Sequence, residues 1–260
     1  MLTNNVNADS FLYEFDSLFG DTSATHHLSP EIAFLSRQID VVSFRRKLAA
    51  SLTVVEKALN LFDTSQLCVA FNGGKDCCVV FYLFYAVCLR AGVRFPLKVL
   101  LIQINHQFEE MSVFVQQTLK SFYTSETLEL LVFDEDEANV SLKECLRQMK
   151  QTHPLVRGIL MGTRRTDSAY FRNMEAFAPT DGDWPSYTRV NPILDWSYSE
   201  VWYFIRVLKL PYCSLYDRGY TSVDNTLNTV PNQDLCRADG TFMPAYWLED
   251  QDAERKSRRK

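Results

Sequence analysis

The chain has 260 residues, 47% of them hydrophobic, and a formal net charge of −5 at neutral pH. That length fits one large domain with a real core, and the acidic balance argues against an extended basic surface for nucleic acid. The seven cysteines (68, 77, 78, 88, 145, 213 and 236) include no C-x-x-C pair and sit partly in apolar runs, so a reducing, cytoplasmic setting is expected.

Residues 1–29 are rich in Asn, Asp, Ser and Thr with one aromatic patch, and read as a loosely held arm with a helical turn. The polar start shows no targeting segment. Ser29-Pro30-Glu31 is a helix start: a capping serine, proline at the first position and an acid in the first turn. Apolar residues from Ile32 to Leu59 recur at helical spacing. Residues 67–71 predict the first strand and 76–90 its helix. Residues 97–104 form a continuous apolar run, suited to a buried parallel strand and too short to cross a bilayer. Residues 110–123 read as helix, 128–133 as strand, 140–151 as helix and 158–162 as strand. The alternation predicts an α/β fold: a parallel sheet with helices on both faces. Beyond it, 163–191 is a long loop, 198–208 a helix, 210–240 irregular and 247–258 a charged helix. The domain plan is the arm followed by a single domain, 30–260, with a nucleotide-binding core at 65–162 and an irregular substrate-binding region at 163–260.

Between the first strand and its helix lies Phe71-Asn72-Gly73-Gly74-Lys75-Asp76. Adjacent glycines let the backbone turn and present N–H groups, the helix start adds partial positive charge, and Lys75 adds a full one. The segment is no Walker A loop, because Val69 and Asp76 stand where that motif needs Gly and Ser or Thr. It is similar to the pyrophosphate loop of the N-type ATP pyrophosphatases. A plain glycine turn before a helix is the alternative. Asn72, Asn105 and Thr163 all follow strand ends, so they are expected to converge on one crevice.

Further segments carry a closer resemblance. They are Met161-Gly162-Thr163-Arg164-Arg165-Thr166-Asp167, Asn191-Pro192-Ile193-Leu194-Asp195-Trp196, Pro211-Tyr212-Cys213-Ser214-Leu215-Tyr216-Asp217-Arg218-Gly219-Tyr220-Thr221-Ser222, Pro244-Ala245-Tyr246 and Glu254-Arg255-Lys256-Ser257-Arg258. With the glycine loop, they resemble eukaryotic FAD synthase, the FMN adenylyltransferase whose fold is like phosphoadenylyl-sulfate (PAPS) reductase, over residues 65–258. Ser168 and Glu109 stand where that family has prolines. The resemblance implies transfer of AMP from ATP to FMN, giving FAD and pyrophosphate with Mg²⁺, in a monomer whose partners are these small molecules, with no nucleic acid and no membrane.

Such a reaction needs no side-chain nucleophile, since a phosphate monoester is mostly dianionic at neutral pH. The site must position two polyanions and supply cations. Asn72, Lys75, Asp76, Arg255 and Arg258 are the catalytic candidates. Phe71, Gly73, Gly74, Asn105, Gly162, Arg164, Arg165, Asp167, Trp184 and Arg218 are the binding candidates. Asp76 orients Lys75, caps the helix or meets Mg²⁺. Arg164 and Arg165 are placed to grip phosphate as bidentate forks. Asp167 either pairs with an arginine or reads the flavin, and Trp184 either stacks on the flavin or packs in its own loop. Arg218 is a phosphate contact or a loop residue. Arg255 and Arg258, three apart, share one helix face and match the family's paired tail arginines; the alternative is a solvated basic end.

Three other functions fit parts of the chain. A sulfonucleotide reductase needs a nucleophilic cysteine near the C-terminus, and the last one here is Cys236 with no His after it. An RNA-thiolating enzyme needs a Ser-Gly-Gly loop and paired cysteines. A non-enzymatic flavin-binding module has no need of an ATP loop.

Overall fold

The strands of the computed structural model are β1 (Leu67–Ala70), β2 (Leu97–Gln103), β3 (Leu128–Asp134), β4 (Gly158–Leu160), β5 (Phe177–Pro179) and β6 (Thr188–Val190). They form one sheet in the order β3-β2-β1-β4-β6-β5, parallel throughout except for β5 against β6. The helices are α1 (Ala8–Ser17), α2 (Pro30–Gln38), α3 (Val41–Leu61), α4 (Lys75–Arg90), α5 (Glu109–Phe122), α6 (Leu142–Thr152) and α7 (Tyr198–Val207). The structure describes residues 8–17, 29–93, 96–122, 127–134 and 141–259.

Alternate strand residues serve two cores, as the pleat requires. Leu67, Val69, Leu97, Val99, Leu128 and Leu160 join the larger one with α3, α4, α5 and α7. Cys68, Leu100, Leu131, Phe133 and Ile159 join the smaller one, closed by Cys145, Leu146 and Met149 of α6. Twelve residues of α4 are buried, so this helix is covered on all sides and fixes the start of the glycine loop rigidly.

Three sequence expectations change. Within the arm, residues 8–17 form a packed helix. Phe11 and Phe15, four apart on one face, are buried; Phe11 packs on Tyr82 and Tyr85 of α4 and Phe15 on Phe204 of α7. Residues 1–7 and 18–28 of the arm lie outside the described residues, as do Tyr123 and Val140 at the ends of two expected helices. Second, the long loop 163–191 contains β5 and β6. Each is three residues long, too short to show a period, and β6 exists because it pairs with β4. Third, the charged helix expected at 247–258 is two 3-10 turns, Ala245–Trp247 and Gln251–Ser257. Besides its own 3-10 bonds, the tail bonds outward at its end: Val230 N donates to Ser257 O and Arg259 N to Asn228 O.

From β1 the chain crosses to β2 on one side, while β4 flanks β1 on the other. Connections therefore diverge at the carboxyl end of β1, and a crevice opens there. No helix among the described residues is long and apolar enough to cross a membrane.

Candidate active site

The glycine loop is held open by its neighbours. Gly73 has φ +80°, and a Cβ there would lie 2.5 Å from Met111 Sδ and 2.8 Å from Val115 Cγ2, so position 73 excludes any side chain. Asn72 Oδ1 accepts from Gly74 N at 2.9 Å, and the buried Tyr216 hydroxyl accepts from Lys75 N at 3.0 Å. Phe71 is buried on Phe81, and its N–H donates to Leu100 O.

The loop after β4 comes against it. A Cβ on Gly162 would meet the carbonyl carbon of Asp76 at 2.7 Å and Cys77 N at 2.8 Å. These are backbone atoms with no rotamer to retreat into. Gly162→Ala is therefore expected to push the two loops apart and cut kcat/KM for ATP by about 10²-fold, the cost of roughly 1 Å of misplacement. Steady-state kinetics on the variant check this.

Between these loops and the β2 end lies a cleft of about 350 Å³. Ala70, Leu100, Ile102, Ile104, Met111 and Met161 give it an apolar wall, and Asn72, Gln107, Asp224 and Arg258 give it a polar side. An apolar wall with a few converging polar groups is the build of a small-molecule site. Phe71, Asn72, Gly74, Gly162 and Arg258, all expected from the sequence, line it; Asn105, in the exposed turn between Ile104 and Gln107, does not.

Lys75, Asp76 and Arg164 do not line this cleft. They form a closed ring of charges beside it, completed by Glu254. Lys75 Nζ meets Asp76 Oδ2 at 2.9 Å and Glu254 Oε1 at 2.5 Å, and lies 5.2 Å from the Tyr198 ring centre. Arg164 meets Asp76 Oδ1 at 2.8 Å, both oxygens of Glu254 at 2.7 Å and Asp167 at 3.1 Å. The Lys75 and Arg164 side chains are 3% and 1% exposed. The sequence expectation has a lysine and an arginine reaching phosphate directly; here both charges face carboxylates. Asp76 is not the helix N-cap, a place taken by Gly74; its Oδ2 bonds Lys75, while its Oδ1, beside Arg164, has no hydrogen-bond partner among the described residues. Among the described residues no cluster of three or more His, Cys, Asp or Glu is built to hold a metal.

Burial alone would raise the Asp76 carboxyl, but Arg164 and Lys75 hold it below the usual carboxylate range. A depressed folded value stabilises the protein above the unfolded value, near 4, and that contribution fades as pH falls through the folded value. Asp76→Asn is therefore expected to lower the melting temperature clearly at pH 7, with the gap to wild type closing below about pH 4. Thermal melts from pH 7 to 3 check it.

The tail enters the site through Arg258. Its Nε donates to Ser222 Oγ at 2.9 Å and Nη2 to Val223 O at 3.1 Å, while Nη1 lies 3.4 Å from Asp224. Arg255 is half exposed and reaches Asp167 at 3.5 Å, outside the cleft.

Three expected contacts fall elsewhere. Arg165 turns away: Nε meets Asp195 at 2.6 Å, and Nη1 donates to Arg172 O and Met174 O. It ties down the 172–174 turn and lines no part of the cleft. Trp184 lies on the β5–β6 hairpin turn, which precedes the amino end of β6 and lines no part of the cleft. The hairpin, unseen in the sequence, carried it there. Arg218 pairs with Glu110 at the start of α5, a loop-fastening role. Conversely, Glu254, Tyr216, Ser222 and Asp224 were missed. Glu254 stands directly before the tail arginines, but an acid among bases reads as a solvated pair; the other three carry no signal without the fold.

Residues 66–231 match the family model for the phosphoadenosine phosphosulfate reductase domain. The chain is 34% identical over 224 residues to the probable FAD synthase of Schizosaccharomyces pombe, covering 84% of this chain and 81% of that one. It is 36% identical over 224 residues to the probable FAD synthase of Caenorhabditis elegans, again over 84% of this chain but 41% of that longer protein. The fold is shared with the crystal structure of Candida glabrata FMN adenylyltransferase in complex with FAD and inorganic pyrophosphate, at a TM-score of 0.81 and 20% identity over 96% of this chain and 98% of that one. The chain therefore belongs to the FAD synthase family, within the phosphoadenosine phosphosulfate reductase-domain fold.

Proposed function

We propose that this chain transfers AMP from ATP to FMN, giving FAD and pyrophosphate. The observation that carries the proposal is the convergence of the glycine loop, the Gly162 loop and Arg258 on one cleft at the carboxyl ends of β1, β2 and β4. ATP would lay its adenosine on the apolar wall and its phosphates against Asn72, Gly74 and Arg258. The FMN phosphate dianion attacks the α-phosphorus, the bond to the bridging oxygen breaks, and pyrophosphate leaves; no protein nucleophile intervenes. Burial raises the thiol of Cys77, which lines the cleft, to about 11, so it stays protonated. Asp167 and the half-exposed Arg255 beside it are assigned to the flavin side. Magnesium is assigned to the ATP phosphates as part of the substrate, and no step runs through a protein-held metal.

A sulfonucleotide reductase is the second candidate on this fold, and the tail argues against it. The segment that closes on the site carries Glu254 and Arg258 and no cysteine, while Cys236 lies outside the cleft. The seven free thiols support a cytoplasmic setting, and the acidic charge supports small-molecule partners over nucleic acid. Incubation with FMN, ATP and Mg²⁺, followed by chromatography, is expected to yield FAD and pyrophosphate in equal amounts. Absence of both would overturn the proposal.

A further inference from the structure

Glu254 is 179 residues from Lys75 and 90 from Arg164, yet its carboxylate touches both. The backbone around it is also held in place. Thr221 Oγ1 donates to Glu254 O at 2.6 Å, Asn232 Nδ2 donates to Ala253 O at 2.9 Å, and the Ser257 hydroxyl accepts from Thr221 N at 2.9 Å. Ala253, Glu254 and Ser257 are all buried. Four residues after Glu254 the same segment delivers Arg258 to the cleft.

Lys75 opens α4 at the end of the glycine loop, and Arg164 follows Gly162. The two loops meet at Gly162 with no space to spare. Whatever fixes the Lys75 and Arg164 side chains fixes the spacing of the two backbones that line the cleft. Asp76 links the two loops directly through Arg164, but its other partner, Lys75, is only its own chain neighbour. Glu254 supplies the clamp from outside, with charge-assisted bonds to both cations. A neutral amide has one acceptor oxygen for two cations and would turn N–H donors toward the other.

We infer that Glu254 is a positioning residue for adenylyl transfer: it clamps Lys75 and Arg164 so that the glycine loop and the Gly162 loop hold the transferring phosphate in line. The assignment rests on the FAD synthase activity proposed above. Glu254 does not line the cleft, so its removal is expected to act on kcat through geometry and to leave FMN binding largely alone.

The test is Glu254→Gln and Glu254→Asp in the full chain, beside wild type. Expected for Gln is a kcat about 10²-fold lower with KM for FMN changed less than threefold. Amide hydrogen exchange is expected to rise about tenfold or more across both 71–78 and 161–167. The Asp variant keeps the carboxylate, and its kcat and exchange should fall between those of Gln and wild type. A Gln variant with wild-type kcat, or with unchanged exchange in either loop, overturns the inference. So does a Gln variant that melts lower while kcat holds, since that is a structural role alone. Should Gln fail to fold, Asp carries the same two readouts, and Asp with wild-type kcat and exchange overturns it. Wild-type protein that makes no FAD overturns the proposed activity instead, and the exchange comparison still decides whether Glu254 joins the loops.

Discussion

Arg258→Ala is expected to lower kcat/KM for ATP by on the order of 10²- to 10³-fold while leaving the melting temperature within about 2 °C of wild type. A guanidinium has five N–H donors. Ser222, Val223 O and Asp224 engage three of them, which leaves two for phosphate oxygens. The side chain is one-third exposed and lines the cleft, so its loss strands one buried group, the Ser222 hydroxyl, whose O–H is free to turn to another partner. Asp224, in the same cleft, weakens the attraction of Arg258 for a bare anion and holds its fork at a fixed angle. Arg258→Lys should rescue little, because one ammonium cannot reproduce three anchors and two free donors. Cutting the chain after Gln251 is a poorer experiment. It removes Ala253, Glu254 and Ser257, all buried, and so lowers stability and activity together. Steady-state kinetics and a thermal melt on the point variants separate the two; wild-type kcat/KM in Arg258→Ala would remove the tail from the reaction.

What the sequence revealed and what it concealed follow from distance along the chain. The parallel core of the sheet was legible because β1 to β4 are mostly apolar runs and α4 is apolar over most of its length. The glycine loop was legible because its geometry is written in adjacent residues, with Gly73 at φ +80°. Partners far apart in the chain were not. Nothing near Lys75 announces Glu254, so the lysine read as a cation for phosphate when its charge is neutralised inside the protein. Arg165 was misassigned for a related reason: a pair of adjacent arginines reads as one fork, but successive residues at Arg164 and Arg165 point to opposite sides, one into the ring and one to Asp195. Trp184 was misplaced because β5 and β6 owe their existence to β4 and not to any pattern of their own.

The largest combined effect is expected for Lys75→Ala. Taken as a surface cation aimed at phosphate, Lys75 would cost activity alone when removed. As a member of a buried ring it costs both. Its ammonium is 3% exposed and neutralises Asp76 and Glu254, so its removal leaves two carboxylates with Arg164 as their one remaining shared cation. Breaking a buried pair from one side costs about 3–5 kcal/mol, which for a chain of this size is a fall in melting temperature on the order of 10 °C. FAD formation should drop by on the order of 10³-fold, because the loop N–H groups lose their register with the Gly162 loop. A double variant separates the two consequences. Lys75→Met with Glu254→Gln removes one charge of each sign, so it should melt well above Lys75→Met alone, with a coupling of about 1–3 kcal/mol. It should regain none of the lost activity, since the clamp between the loops is still missing. If Lys75→Ala melts with wild type, the ring does not hold in solution and Lys75 returns to the cleft as a direct phosphate contact.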